Sequence, residues 1–382
     1  MTQRTSFTLG IGAFLALTTF FSSCKKEERT NNLTRQLQAT RQFADSIGID
    51  TTQYTVASAQ TDTVAARAAL EKLLTEIHYG HKPVNQSFAK LPEKVDSTVI
   101  SKLARTDDVV SALKTDAATF GPYKALLAKY NEAKKTASPT QLNDIKETLN
   151  FYRYLNRFDA EKFIVVNIPA ARLAVFDKTG KRELPMAVIV GKAAKATPRF
   201  NCYLTEIVAY PYWNVPEGIA MKEIVPKVKA NLSYLDSQNM DILDKRENLV
   251  DPESIDWSNV SASNFPYRFR QRSGCNNSLG LIKFVLNGPP AIYLHDTNAR
   301  ELFDQTTDHW RSHGCVRVEK PVELANFVLG SPKFDQGFYN RCLTDQTPSS
   351  FKLPKPYPVF VTYHLADVDE QGQLVYYKDV YK

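Results

Sequence analysis

The sequence predicts an α+β protein: an all-helical N-terminal scaffold, then a mainly β domain interrupted by an inserted helical segment. Apolar residues recur at helical spacing up to about residue 158, as in Leu70, Leu73, Leu74 and Ile77. From Lys162 the pattern changes to short β-branched runs bounded by turn residues, beginning with Phe163-Ile164-Val165-Val166-Asn167-Ile168. The 382 residues, 43% of them hydrophobic, suffice for two or three domains with sizeable cores.

Residues 1–24 have the shape of a secretory signal: Arg4, an apolar run from Phe7 to Phe21, and the small pair Ser22-Ser23. The run is too short to span a bilayer comfortably, which favours cleavage. With Cys24 next, followed by Lys25-Lys26-Glu27-Glu28, the segment resembles a bacterial lipoprotein signal, which implies a lipid anchor at Cys24. Phe21 departs from the small aliphatic residue usual at its position, and a plain secreted protein is the alternative. Either way the chain is expected outside the cytoplasm; with the lipid anchor it faces the periplasm from a membrane of the cell envelope.

Residues 25–63 are polar and read as a tether, with one helix over Leu33 to Ile47. Residues 64–158 form the helical scaffold: a helix ending before Gly80, helical patterns over Val109 to Ala137, and a helix opening at Ser138-Pro139. His78 and His81 fall in a helix-end turn and are given no chemistry. The β domain occupies residues 160–382. Its first strands are Lys162 to Pro169, Arg172 to Phe176 and, after the turn Asp177-Lys178-Thr179-Gly180, Met186 to Gly191. The insertion, residues 217–272, places Met221, Ile224, Val225 and Val228 at helical spacing, with Pro226 placed to kink or delimit the turn. Arg268, Arg270 and Arg272 alternate, so on a strand they share one face, either a cationic wall or a solvated edge.

The net charge of +7 and pI of about 8.9 suit an acidic polymer or anionic surface, and without long Lys/Arg runs nothing points to nucleic acid. Besides Cys24 and Cys315, three cysteines remain: Cys202, Cys275 and Cys342. An odd remainder argues against a full disulfide framework, with three buried thiols the default and one pair left open.

The chemistry concentrates in Ser312-His313-Gly314-Cys315-Val316-Arg317, read with Tyr293-Leu294-His295-Asp296. A thiol is nucleophilic only as thiolate, and its ordinary pKa of about 8.5 calls for a neighbouring base. His295 is the candidate base, delivered at the end of the β-prone run Ala291-Ile292-Tyr293-Leu294. Gly314 suits a tight turn that exposes the sulfur of Cys315 and aims the amides of His313, Gly314 and Cys315 at one point, an oxyanion hole. A purely structural cluster is the plain alternative. Zinc held by His309, His313 and Cys315 is a second, weakened by the lack of a fourth ligand motif.

His295, sixteen intervening residues and Ser312-His313-Gly314-Cys315 together resemble the signature of the L,D-transpeptidases, cysteine enzymes that cross-link bacterial peptidoglycan. The resemblance extends over about 220 residues, through Thr197-Pro198, Tyr210-Pro211-Tyr212-Trp213-Asn214-Val215-Pro216, Leu279 to Phe284 and the final strands at Val359 to Leu365 and Leu374 to Tyr377. It implies Cys315 as nucleophile, His295 as general base, the Asp296 carbonyl as its orienter, and oxyanion donors on His313, Gly314 and Cys315. It implies stem-peptide contacts from Ser312, Arg317, Trp213, Tyr293 and Arg270, a cap formed by the insertion, and neither cofactor nor metal. Many members carry Asn where this chain has Arg317, although arginine resembles a common variant; it either holds a substrate carboxylate or supports the loop. No small peptidoglycan-binding module separates the scaffold helices. The implied reaction is 3→3 cross-linking of tetrapeptide stems through a thioester, with release of D-alanine. L,D-carboxypeptidase action, protein anchoring, a non-catalytic wall-binding lipoprotein and a protein-cleaving cysteine peptidase are the alternatives.

Overall fold

The computed structural model describes residues 32–54, 63–116, 120–304 and 308–382. The signal segment, Cys24 and much of the expected tether lie outside the described residues. No helix among the described residues is long and apolar enough to cross a membrane. The chain divides into two compact units. One comprises the described residues up to Lys82 together with Lys94–Arg157 and Glu370–Gln373; the other comprises Pro83–Glu93, Phe158–Asp369 and Leu374–Lys382.

The helical unit contains a helix over residues 32–46 and the helices Thr63–Tyr79, Ser97–Leu103, Val109–Asp116, Gly121–Ala133 and Pro139–Tyr154. Leu33, Leu37, Ala44 and Ile47 are buried with Leu70, Leu73, Leu74 and Ile77, so the first helix belongs to the unit's core and not to a tether. The polar composition around it misleads because only its inward stripe is apolar. Val109 to Ala137 is two helices, the second opening at Gly121-Pro122, where proline fits a first turn. Ser138 caps the Pro139 helix reciprocally with Gln141. His81 pairs with Glu76 at 2.6 Å, and Asn150 holds its amide and carbonyl, a structural use of that histidine.

The sheet unit opens with β1 (Phe88–Ala89), β2 (Lys162–Asn167), β3 (Arg172–Asp177), β4 (Arg182–Gly191) and β5 (Phe200–Ala209). β6 (Trp213–Asn214) leads into the insertion, which carries β7 (Met240–Leu243) and β8 (Arg268–Gln271). After it come β9 (Ile282–Leu286), β10 (Leu294–His295), β11 (Trp310–Ser312), β12 (Val316–Val318), β13 (Ser349–Thr362), β14 (Ala366–Val368) and β15 (Leu374–Tyr376). Neighbours run β5-β13-β2-β3-β4-β12-β10-β9, and β9 pairs back onto β5, so the main sheet closes on itself. Ile164, Val166, Val188, Val190, Phe284, Leu294, Val316 and Val318 fill the core, with Leu324 and Val328 of the helix Pro321–Leu329 packed in. Alternate residues of the same strands are thereby turned the other way.

The insertion has its own core of Val215, Ile224, Val225, Val228, Leu235, Met240, Ile242 and Phe269. The insertion, expected as a helical cap, also carries strands: a helical run from Glu217 to Ala230 packs with the three-stranded sheet β6-β8-β7. Strands of two to four residues are too short for their period to stand out in sequence. Within the run, Ala220–Ile224 is a π turn, and Pro226 follows in the first turn of Val225–Ala230.

Cys275 and Cys342 form a disulfide with Cα atoms 5.1 Å apart, which replaces two of the three expected thiols. Ser273 Oγ reinforces the same junction by donating to Gln346 O at 2.7 Å. Cys202 remains a buried thiol, its pKa pushed up to about 12 by burial. Across the 67-residue separation, replacing both Cys275 and Cys342 by serine should cost about 4 kcal/mol in denaturant unfolding. Reductant should produce the same loss in the parent protein and none in the double variant.

Candidate active site

The site is a consequence of register. Leu294 pairs with Val316 and His295 with Arg317 along parallel β10 and β12, while on the other side His295 pairs with Lys283 of β9. Paired residues share a face, so Lys283, His295 and Arg317 form one row across three strands. The bond from Val316 N–H to Tyr293 O (3.0 Å) carries the pairing back to Tyr293 and Cys315, whose side chains lie on that same face. Leu294, Val316 and Phe284 point into the core beneath. A period of two thus sends three apolar anchors one way and all the reactive groups the other.

His295 is 5% exposed and its Nδ1 lies 2.5 Å from Asp296 O. A carbonyl only accepts, so Nδ1 carries the proton and Nε2 is left with its lone pair. Burial, then Arg317, holds the ring neutral, with a pKa lowered to about 3 despite the opposing bond to Asp296. The Asp296 carboxylate, itself fully buried, is clamped by Leu281 N–H (2.8 Å), Tyr339 Oη (2.9 Å) and Arg300 Nη2 (3.0 Å). Gly280 permits this clamp: at φ +62, a Cβ there would stand 2.2 Å from Asp296 Oδ2. Arg300 also lies 3.4 Å above the Tyr339 ring. Gly280, Arg300 and Tyr339 escaped the sequence analysis; an isolated arginine four residues after Asp296 was the one local signal.

The nucleophile loop is braced from inside. Ser312 Oγ donates to Cys315 O (2.6 Å) and accepts from Gly314 N–H (3.1 Å). The Gly314 amide is therefore taken within the loop, which corrects its expected place among the oxyanion donors. Ser312, 2% exposed, is a loop brace where a substrate contact was expected. Gly314 sits at φ +116, a conformation closed to ordinary side chains. Its carbonyl accepts from Thr197 Oγ1 (2.9 Å), Thr197 N–H donates to Tyr381 Oη (3.0 Å), and Tyr381 Oη donates to Gly191 O (2.9 Å). Tyr381 thus supports the loop from sixty-odd residues away in sequence, beyond the reach of any local motif.

Cys315 is partly exposed and its thiol donates to Ala291 O at 3.3 Å. Ala291, at φ +60, lies in a turn, so the expected strand before His295 is confined to β10. Burial pushes the Cys315 thiol up, opposed by the Tyr293 N–H, Lys283 and Arg317. Arg317 Nε has no hydrogen-bond partner among the described residues. His313 turns outward, its Nε2 2.7 Å from Glu223 Oε1 in the insertion's π turn, which ties the insertion to the nucleophile loop. His309 packs against Phe303 instead, and no cluster of three or more potential metal ligands occurs among the described residues.

The remaining expected contacts lie in the insertion or in the strand leading into it. Trp213 is half-buried against the insertion's core and pairs with Gln271. Arg268, Arg270 and Arg272 do share a face, but it is not a bare cationic wall. Arg270 bonds Asp241 (3.0 Å) and lies 4.7 Å over the Tyr212 ring; Arg268 pairs with Glu247, and Arg272 with Asp241 and Asp345. The carboxylates come from segments far apart in sequence, so the arginines looked unpaired there.

Two outcomes follow for stability. His295 and the equally buried His364, also lowered to about 3, bind no proton when folded but would titrate near 6.5 when unfolded. The unfolded state binds more protons below that value, so stability is fully present above pH 6.5 and is lost as pH falls toward 3. Between pH 6.5 and 5 the pair should cost about 3 kcal/mol. This pH dependence should be what remains in the stability difference between the parent protein and a His295→Gln, His364→Gln variant, because opposing contributions such as the raised pKa of His81 are common to both and cancel. Replacing Tyr339 by phenylalanine removes a donor from buried Asp296 and should cost about 1–3 kcal/mol in denaturant titration.

The family model YkuD, the L,D-transpeptidase catalytic domain, matches residues 161–352. A curated Haemophilus influenzae protein, assigned by its name to the L,D-transpeptidases, is 37% identical over 223 residues, which are 58% of this chain. The match spans 45% of that protein, so the chain covers about half the length of its curated relative. Among solved structures, L,D-transpeptidase 1 of Mycobacterium tuberculosis aligns over 54% of this chain and 63% of its own, with TM-score 0.19 and 13% identity. The L,D-transpeptidase of Mycobacterium smegmatis aligns over 54% and 60%, with TM-score 0.21 and 15% identity. With the family model spanning half the sequence, and the thiol, imidazole and glycine turn of the motif assembled on one face, the chain belongs to the L,D-transpeptidase catalytic-domain family.

Proposed function

We propose that this protein forms 3→3 cross-links in peptidoglycan through a Cys315 thioester. The observation that carries the reading is the pairing of β10 with β12, which sets a partly exposed thiol on the same face as a buried imidazole whose Nδ1 is occupied. His295 Nε2 takes the Cys315 proton as sulfur attacks the carbonyl after the third residue of a tetrapeptide stem. With the Gly314 amide committed to Ser312, the amides of His313 and Cys315 are the donors for the oxyanion. The carbon–nitrogen bond breaks, His295 returns its proton to the departing D-alanine amine, and a side-chain amine of an acceptor stem then displaces sulfur. Arg317, half-buried on the same face with its Nε buried and unpartnered among the described residues, serves a stem carboxylate. Glu223 holds the insertion against the loop as a cap.

The expected setting is the cell envelope, with Cys24 lipidated and the catalytic unit facing the periplasm. The Cys275–Cys342 disulfide favours such an oxidising compartment.

Purified disaccharide-tetrapeptides incubated with the protein should yield a dimer lacking one D-alanine, detected by mass spectrometry. Cys315→Ala should reduce its formation by about 10³-fold or more. A carbapenem should add its intact mass to Cys315 in the parent protein alone. D-alanine loss without dimer would turn the reading toward a carboxypeptidase, and an active preparation with no Cys315 adduct would contradict it.

A further inference from the structure

Lys283 was not singled out by its sequence context, yet it stands in the row that forms the site. Its Cα partner is His295, whose partner on the far side is Arg317. Its ammonium lies 3.8 Å from the centroid of the Tyr293 ring, and Tyr293 is the residue whose backbone amide faces Cys315. No carboxylate forms an ion pair with Lys283 among the described residues; burial lowers its pKa, opposed by the negative charge of Cys315 and then of Glu206 on neighbouring β5. A half-buried lysine without a carboxylate partner is costly to keep; the Tyr293 ring lies against it, and Cys315, on the same face, is the acidic group that opposes its burial most.

We infer that Lys283 is the counter-cation of the Cys315 thiolate, a positioning residue for charge, while His295 acts as a neutral base. This rests on Cys315 being the nucleophile. The groups facing Cys315 are Lys283 from β9, Tyr293 and His295 from β10, and Arg317 from β12, with Arg311 beside Arg317 and His313 turned to Glu223. Two cations flanking one imidazole disfavour a third positive charge there, and the same cations favour a negative sulfur. One arrangement therefore keeps the base unprotonated and lowers the cost of ionising the thiol. When the thiol of the free protein ionises, its proton leaves to solvent and the lysine ammonium meets the charge on sulfur; in turnover the proton passes to His295 Nε2.

The test is the pH profile of Cys315 alkylation by iodoacetamide, read by peptide mass spectrometry on the full chain without substrate, for the parent protein and Lys283→Met, Lys283→Arg and His295→Gln. Lys283→Met should shift the alkylation midpoint upward, lowering the rate near neutral pH about tenfold. Lys283→Arg should keep the rate within about threefold of the parent, since the charge is retained. His295→Gln should leave the midpoint where it is while abolishing turnover. An unmoved midpoint in Lys283→Met overturns the inference, as does a shift in Lys283→Arg equal to that of Lys283→Met, which would mark a packing role. An upward shift in His295→Gln as large as in Lys283→Met would make the imidazolium the counter-cation and overturn it too. Because no stem peptide is involved, failure of the cross-linking assay would leave this titration readable.

Discussion

The chemistry depends on a short stretch of parallel pairing, Leu294 with Val316 and His295 with Arg317. Slipping either strand by one residue would send His295 or Cys315 into the core and bring leucine or valine to the surface. The register is enforced from below, where Leu294, Val316 and Phe284 are wholly buried, and from the sides, because β9 and β4 flank the pair in a sheet that closes on itself. Packing of ordinary apolar side chains is thus what aligns the reactive ones.

Around that pairing, the polar groups work in two sets. Asp296 gives its carbonyl to the imidazole and its carboxylate to Leu281, Arg300 and Tyr339, so one residue both sets the tautomer and anchors the strand end. The loop of Ser312, Gly314 and Thr197 does the same for the thiol, braced in turn by Tyr381. The disulfide joins the segment leading into Gly280 to the end of the helix bearing Tyr339, the two elements that meet at Asp296. Rigidity at the base is therefore drawn from three distant parts of the sequence.

Much of this was legible before any coordinates. The apolar β runs from Lys162 to Gly191 became β2, β3 and β4, and the spacing of His295 to Cys315 marked the motif. What sequence could not supply was pairing over distance. Arg268, Arg270 and Arg272 look like a cationic face until Asp241, Glu247 and Asp345 are brought to them. Lys283 looks like an ordinary alternating strand lysine until its row is known. Ser312 looks like a ligand contact until its hydroxyl is seen closing the loop.

The central claim is that His295 rests as a neutral imidazole with its proton on Nδ1. Nitrogen-15 NMR of the histidine-labelled protein at about pH 6, with His295 assigned by substitution, reads this directly, because the two ring nitrogens report their protons separately. The account predicts one protonated nitrogen, bonded to the Asp296 carbonyl, and one bare nitrogen available to the thiol. Two protonated nitrogens, an imidazolium beside the sulfur, would contradict it.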